Sequence, residues 1–125
     1  MTILCVDDHP VLLKGLIRDI RSILPHAQVY GFERAAETLA FAEKQGCDVL
    51  FCEIELYHSG GIRLAEQIRQ RFPQANIIFV TVCSEKEHAR EVLRLRPSGY
   101  LTKPVTREQV AEELCNLRYP VASEA

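Results

Sequence analysis

Val49-Leu50-Phe51-Cys52-Glu53-Ile54 is the stretch on which the fold turns. It is apolar without alternation until a single acid interrupts it, and it is short, which is how a strand covered on both faces reads. Similar runs stand at Ile3–Val6, Val29–Phe32, Ile77–Val82 and Tyr100–Leu101. Between them the apolar period becomes helical. Leu13, Leu16, Ile17, Ile20 and Leu24, with Pro10 in the first turn, predict a helix from Pro10 to Leu24. A second is predicted over Arg34–Gln45, ending near Gly46, and a third after Ser59-Gly60-Gly61 with Ile62, Ala65, Ile68 and Phe72 facing inward. Pro25 and Pro73 punctuate their ends. Ser84-x-x-Glu87 and Thr106-x-x-Gln109 read as capping boxes that open a fourth and a fifth helix.

Strand and helix alternate five times, so the spacing predicts an α/β fold of the (βα)5 kind. Right-handed crossovers arrange such units as a doubly wound, five-stranded parallel sheet, flavodoxin-like, with strand order 2-1-3-4-5. The chain of 125 residues fits one domain, which we place at residues 1–118. Residues 119–125 lose the helical period and read as a C-terminal tail or truncated linker to an output domain.

With 47% hydrophobic and 26% charged residues the composition is that of an ordinary globular protein. No apolar run approaches the roughly 20 residues needed to cross a bilayer, and a cytoplasmic location is expected. The formal charge of −2 and a pI near 6.1 argue against nucleic acid or an anionic membrane as a direct partner. The five cysteines, Cys5, Cys47, Cys52, Cys83 and Cys115, lack C-x-x-C spacing and are expected to be reduced and buried. His9, His26, His58 and His88 show no metal-ligand spacing and are expected at the surface or in loops.

In open α/β sheets ligands bind beyond the carboxyl ends of the strands. There the predicted strands deliver Asp7-Asp8, Glu53 with Glu55 two residues on, Thr81, and Lys103-Pro104. Grouped carboxylates repel unless a cation sits among them, and Mg²⁺ takes such oxygen ligands while keeping several waters. Asp7, Asp8 and Glu53 therefore form a candidate Mg²⁺ site. Thr81 and Lys103 add a donor and a positive charge suited to the outer oxygens of a phosphoryl group. Each residue alone has a plainer reading: Asp8 as a helix-terminal acid, Thr81 as a strand former, Lys103 as a surface charge, Glu53 as an incidental acid. Their coincidence on one rim favours the joint reading.

Val6-Asp7-Asp8, Asp48-Val49-Leu50-Phe51-Cys52-Glu53, Ser59-Gly60-Gly61, Val80-Thr81 and Gly99-Tyr100-Leu101-Thr102-Lys103-Pro104 resemble, in order over residues 2 to 117, the CheY-like receiver domains of bacterial two-component response regulators. The resemblance implies a phosphorelay signalling module that is not itself an enzyme. In that family the paired acids bind Mg²⁺, helped by a backbone carbonyl that falls here on Glu55. An aspartate after the third strand accepts a phosphoryl group from a histidine kinase, and the threonine and lysine read the phosphoryl oxygens. The stretch from the fourth to the fifth helix is also similar to receivers fused to transcription activators, which implies a DNA-binding output domain in a longer chain. A homodimer or output contact through helix 4, strand 5 and helix 5 is implied as well, with Arg94 and Tyr100 on that face.

The phosphoacceptor position carries Glu53 in place of aspartate. The extra methylene moves the carboxylate, and displacement of a reacting group by about 1 Å can cost on the order of 10²-fold. Weak or absent phosphorylation is expected, with Val82 and Tyr57 narrowing access. Glu53 can instead stand in partly for an acyl phosphate, with one charge where a phosphoryl group brings nearly two. The competing enzyme reading is a Mg²⁺-dependent phosphatase with an acidic nucleophile, which the adjacent Asp7-Asp8, lacking Asp-x-Asp spacing, fits poorly. A flavin or nucleotide module on the same fold would want a glycine-rich loop after the first strand, where Asp7-Asp8-His9-Pro10 stands.

Overall fold

A computed structural model describes residues 1–57, 60–82 and 85–121. Its elements are β1 (Thr2–Val6), α1 (Pro10–Ile23), β2 (Gln28–Phe32), α2 (Ala35–Gln45), β3 (Val49–Cys52), α3 (Gly60–Arg71), β4 (Asn76–Thr81), α4 (Ala89–Arg94), β5 (Gly99–Thr102) and α5 (Arg107–Cys115). The strands pair in parallel in the order β2-β1-β3-β4-β5, as the sequence predicts.

Why the strands read as unbroken apolar runs is visible in how their side chains divide. Ile3, Cys5, Val49, Phe51, Ile78, Val80 and Leu101 point to one face and pack with Leu13 and Ile20 of α1 and Val110 of α5. Leu4, Val6, Leu50, Cys52, Ile77 and Phe79 point to the other, against Ala42 of α2, Ile62, Ala65 and Ile68 of α3, and Val92 of α4. Successive residues alternate faces, and both faces are covered. Phe51 and Phe79 are fully buried on opposite sides of the sheet. Truncating a phenylalanine so placed costs about 3–5 kcal/mol.

Several boundaries differ from the sequence reading. β3 stops at Cys52, and β4 runs Asn76–Thr81, one residue earlier than predicted, because the backbone turns after the last ladder bonds and leaves Val82 exposed. The fourth helix is also shorter. Ser84, its predicted cap, lies outside the described residues, as do His58, Ser59 and Cys83; α-helical geometry begins only at Ala89, after a 3-10 turn at Glu85–His88. The predicted fifth cap is present in full: the Gln109 N–H donates to Thr106 Oγ1 at 3.2 Å and the Thr106 N–H to Gln109 Oε1 at 2.9 Å. Cys5, Cys47 and Cys52 are buried, and burial pushes their thiols up, Cys47 to about 12. Cys115 corrects the expectation of buried thiols, since it is exposed on α5. Among the described residues no helix is long and apolar enough to cross a membrane.

Candidate functional site

Strand register assembles the rim. Val6 stands opposite Cys52, so Asp7 and Glu53 follow side by side; Thr81 stands opposite Thr102, so Lys103 follows next to them. Backbone bonds fix the three exits: the Asp7 N–H donates to the Phe32 carbonyl at 3.1 Å, the Glu53 N–H to Val6 at 3.1 Å, and the Lys103 N–H to Thr81 at 2.8 Å. Thr81 is fully buried at the end of β4.

At the centre Lys103 Nζ lies 2.7 Å from Asp7 Oδ2 and 2.8 Å from Glu53 Oε1. All three side chains are almost wholly buried. Burial is the largest single influence on the lysine and would lower its pKa, but hydrogen bonds and charge from Asp7 and Glu53 together outweigh it and hold the ammonium above its ordinary range. Glu53 is only 2% exposed, and its second oxygen, Oε2, accepts the Glu55 N–H at 3.2 Å. The longer side chain is thus folded into the site with both oxygens engaged. Gly61 makes this local path possible: a Cβ there would run into the Glu53 carbonyl oxygen, while its N–H donates to the Ile54 carbonyl at 3.1 Å.

Asp8 supplies an incompletely satisfied acid beside this cluster. Its Oδ2 accepts a long bond, 3.4 Å, from the Tyr57 N–H. Its Oδ1 is buried and accepts no hydrogen bond, although His9 Nδ1 is 3.2 Å away, because that nitrogen has one hydrogen at most to give and lies closer, at 3.0 Å, to Asp7 Oδ1. His9 is exposed in its loop, yet its ring reaches both acids, which spacing analysis for metal ligands did not anticipate. The available signal was Pro10, which holds the preceding residue extended, and His9 is so held, with φ −104° and ψ 98°. Ligand atoms of Asp7, Asp8 and His9 lie within 4.8 Å of one another. An orphaned buried carboxylate oxygen among oxygen-rich neighbours fits a hard divalent cation.

Glu55, implicated through its carbonyl, occupies the turn after β3, and its carboxylate meets His88 Nε2 at 3.1 Å. Tyr57 holds a left-handed backbone, φ 43°, with its ring 5.9 Å from the Arg34 guanidinium carbon, beside a groove formed with Phe32, Glu33 and Glu37. Val82 is exposed. Arg94 and Tyr100 are not drawn into the acidic rim: Arg94 is exposed at the end of α4, and Tyr100 is half-buried on β5, 6.2 Å from the Phe79 ring. Sequence reasoning missed Asn76 and Ser98, which are bonded to each other at the opposite, amino end of β4 and β5, and Arg69, whose guanidinium donates to backbone carbonyls nearby. The apolar pattern gave no signal for them, since Asn76 and Ser98 stand just before apolar runs and Arg69 is not among the inward positions of the third helix.

Comparison with known proteins supplies the context. Residues 3–114 match the family described as response regulator receiver domain. The chain is 36% identical over 80 residues to the transcriptional regulatory protein CitT of Bacillus subtilis, covering 64% of this chain and 35% of CitT. It is 27% identical over 101 residues to the response regulator GacA of Pseudomonas viridiflava, covering 81% and 47%. The chain therefore spans about half, or less, of these curated relatives. A CheY-like response regulator receiver domain protein from Methanospirillum hungatei superposes with a TM-score of 0.82 at 24% identity, covering 91% of this chain and 90% of that one.

Proposed function

The chain belongs to the response regulator receiver domain family, and from that premise we propose that it is an atypical receiver, signalling by its conformation and contacts with little or no phosphotransfer. One observation carries the reading: Glu53, at the phosphoacceptor position, already spends Oε1 on Lys103 at 2.8 Å and Oε2 on the Glu55 N–H at 3.2 Å. A carboxylate held on both oxygens in a buried site is poorly placed to attack phosphorus. It is well placed to hold the lysine as a phosphoryl oxygen would, with less charge.

Asp8 and Glu53, with the Glu55 carbonyl and Asp7 beside them, would hold Mg²⁺. The ion would supply charge neutralisation and a fixed site for an incoming anion. Asp7 would act chiefly through Lys103 and His9, whose positions it sets. With metal at ten times its dissociation constant, linkage adds about 1.4 kcal/mol of stability. Saturating Mg²⁺ is expected to raise the melting temperature of the wild type and not of Asp8→Ala; equal responses would remove the site.

Partners follow from the family. A histidine kinase is the expected donor wherever phosphotransfer survives, and a DNA-binding output domain is the expected client in a longer protein; the relative CitT is named a transcriptional regulatory protein. Neither nucleic acid nor membrane is a direct partner of this domain. The face of α4, β5 and α5, with Arg94, Tyr100 and the exposed Leu93, is the homodimer or output surface.

The deciding test is intact mass after incubation with a small phosphodonor and Mg²⁺. Wild type is expected to remain unmodified, while Glu53→Asp gains one phosphoryl group at least in part. Rapid stoichiometric modification of wild type would overturn the reading. Glu53→Gln removes the charge with little change of shape, and is expected to shift amide resonances near Thr81 and Tyr100 towards an inactive state.

A further inference from the structure

At the amino end of β4 and β5, away from the acidic rim, buried polar groups converge on the chain's exit from the domain. Asn76 opens β4 and is fully buried, with every bond its side chain can make satisfied. Its Nδ2 donates to the Tyr119 carbonyl at 2.8 Å and the Asp48 carbonyl at 3.2 Å; its Oδ1 accepts the Tyr119 N–H at 2.7 Å and the Ser98 hydroxyl at 3.0 Å. Ser98 Oγ in turn accepts the Arg118 N–H at 2.6 Å. The Asn76 amide thus pairs with the Tyr119 backbone as a neighbouring strand would.

Arg69 of α3 lies over the same point. It is only 8% exposed, and among the described residues its guanidinium bonds carbonyls and no carboxylate. Its guanidinium donates to the carbonyls of Leu95 at 2.9 Å, Arg96 at 3.2 Å, Pro73 at 2.9 Å and Ala75 at 2.7 Å, and its carbon sits 5.2 Å from the Tyr119 ring centre. Leu95 and Arg96 are the carbonyl-bearing end of α4, where Arg96 turns the chain with φ 49°. A planar fork that binds several carbonyls and stacks on an aromatic ring suits arginine and not lysine. One cation therefore touches both the end of α4 and the exit segment.

We infer that Arg69, Asn76 and Ser98 form a clasp that makes the α4–β5 loop and residues 118–119 a single mechanical unit, so that rearrangement at the partner face loosens or tightens the chain's exit from the domain. The physical reason is that the Arg96 and Leu95 carbonyls cannot move far without dragging or abandoning the guanidinium on which Tyr119 rests. If Arg69 moves, the ring loses the nearer of its two cationic neighbours, Arg118 standing at 5.9 Å; if Tyr119 leaves, Asn76 loses two bonds in a buried place. Coupling of this kind is reciprocal: whatever binds or restrains the exit must bias α4 by the same factor. The clasp is built from this chain's own contacts, away from Glu53.

Amide hydrogen exchange of the whole chain tests it. In wild type the Arg118 and Tyr119 amides are expected to be protected, since each donates to a side chain. Tyr119→Leu removes the ring and keeps the backbone. It is expected to speed exchange at the Leu95 and Arg96 amides, which Tyr119 does not bond, by about threefold or more, the scale of a lost cation–aromatic contact. Exchange in β3, at Leu50, should stay unchanged. Ser98→Ala should speed Arg118 in the same way, and Arg69→Lys should speed both segments together. Unprotected Arg118 and Tyr119 in wild type would overturn the clasp. Acceleration at Arg118 with none at Leu95 and Arg96 would overturn the coupling, as would uniform acceleration that includes Leu50.

Discussion

A lysine held between two buried carboxylates is costly to remove, because two charges brought out of water lose their compensation at once. Lys103→Met is therefore expected to destabilise the domain by about 3 kcal/mol at neutral pH, read as a drop in urea midpoint. Since the Lys103 pKa is raised in the folded state, its contribution is fully present below the ordinary lysine value of 10.5 and is lost as pH rises through the higher folded value. The gap between variant and wild type should accordingly hold steady up to about pH 10 and close above it. Glu113 of α5 is the opposite case. Its carboxylate packs where a Cβ on Gly99 would lie, and burial, followed by the neighbouring Glu112, raises its pKa. The folded state prefers this group protonated, so its favourable contribution exists at acid pH and is lost as pH rises through the folded value. Glu113→Gln should stabilise the domain at neutral pH, and the gain should vanish as pH falls below the usual glutamate range; an equal gain at both pH values would mean that charge is not the cause. Asp7, Asp8, Glu53, Thr81 and Lys103 were legible because each stands within or just beyond the carboxyl end of an apolar run. Asn76 and Arg69 were not, since a polar residue beginning a strand and an arginine within a helix both pass for solvated positions until the chain's exit is seen to cover them.

Elements were legible where periodicity was long and caps were local. The Thr106 box lies within four residues of sequence, and Thr106→Ala should cost about 1 kcal/mol, seen in a thermal melt. α4 was misjudged in its start because helical period reports which residues face inward, not how the chain enters a helix; here Val92 and Leu95 are the buried anchors of a six-residue helix preceded by a tighter turn. The turn between β3 and α3 illustrates a constraint that sequence alone conceals. Gly61 lies within a helix, where glycine is usually a weakness, yet any side chain there meets the backbone of Glu53. Gly61→Ala is expected to destabilise by about 2 kcal/mol or more and to perturb amide resonances at Glu53 and Glu55. Gly99→Ala meets only the flexible end of Glu113, which can swing to solvent, and should cost far less. Similar losses for the two would show that the Glu53 carbonyl yields more readily than its place in the sheet suggests.

On the scale of the whole molecule, the strand order followed from counting units and from the handedness of their connections, and it was recovered in full. The structure adds which helices share a face: α1 and α5 on one side, α2, α3 and α4 on the other. Association was not legible, because an exposed Leu93 and a charged Arg94 on a short helix look alike whether or not another surface meets them. Arg94→Glu and Tyr100→Ala are expected to weaken self-association or output binding, with sedimentation velocity as the measure; unchanged coefficients and unchanged partner affinity would move the interface elsewhere. The backbone pairing of Asn76 with Tyr119 also dictates where the domain can be cut and rejoined. A chimaera whose junction falls before Arg118 strips the partners from a buried amide and begins life destabilised. One whose junction falls after Tyr119 is expected to carry the receiver's own latch with it.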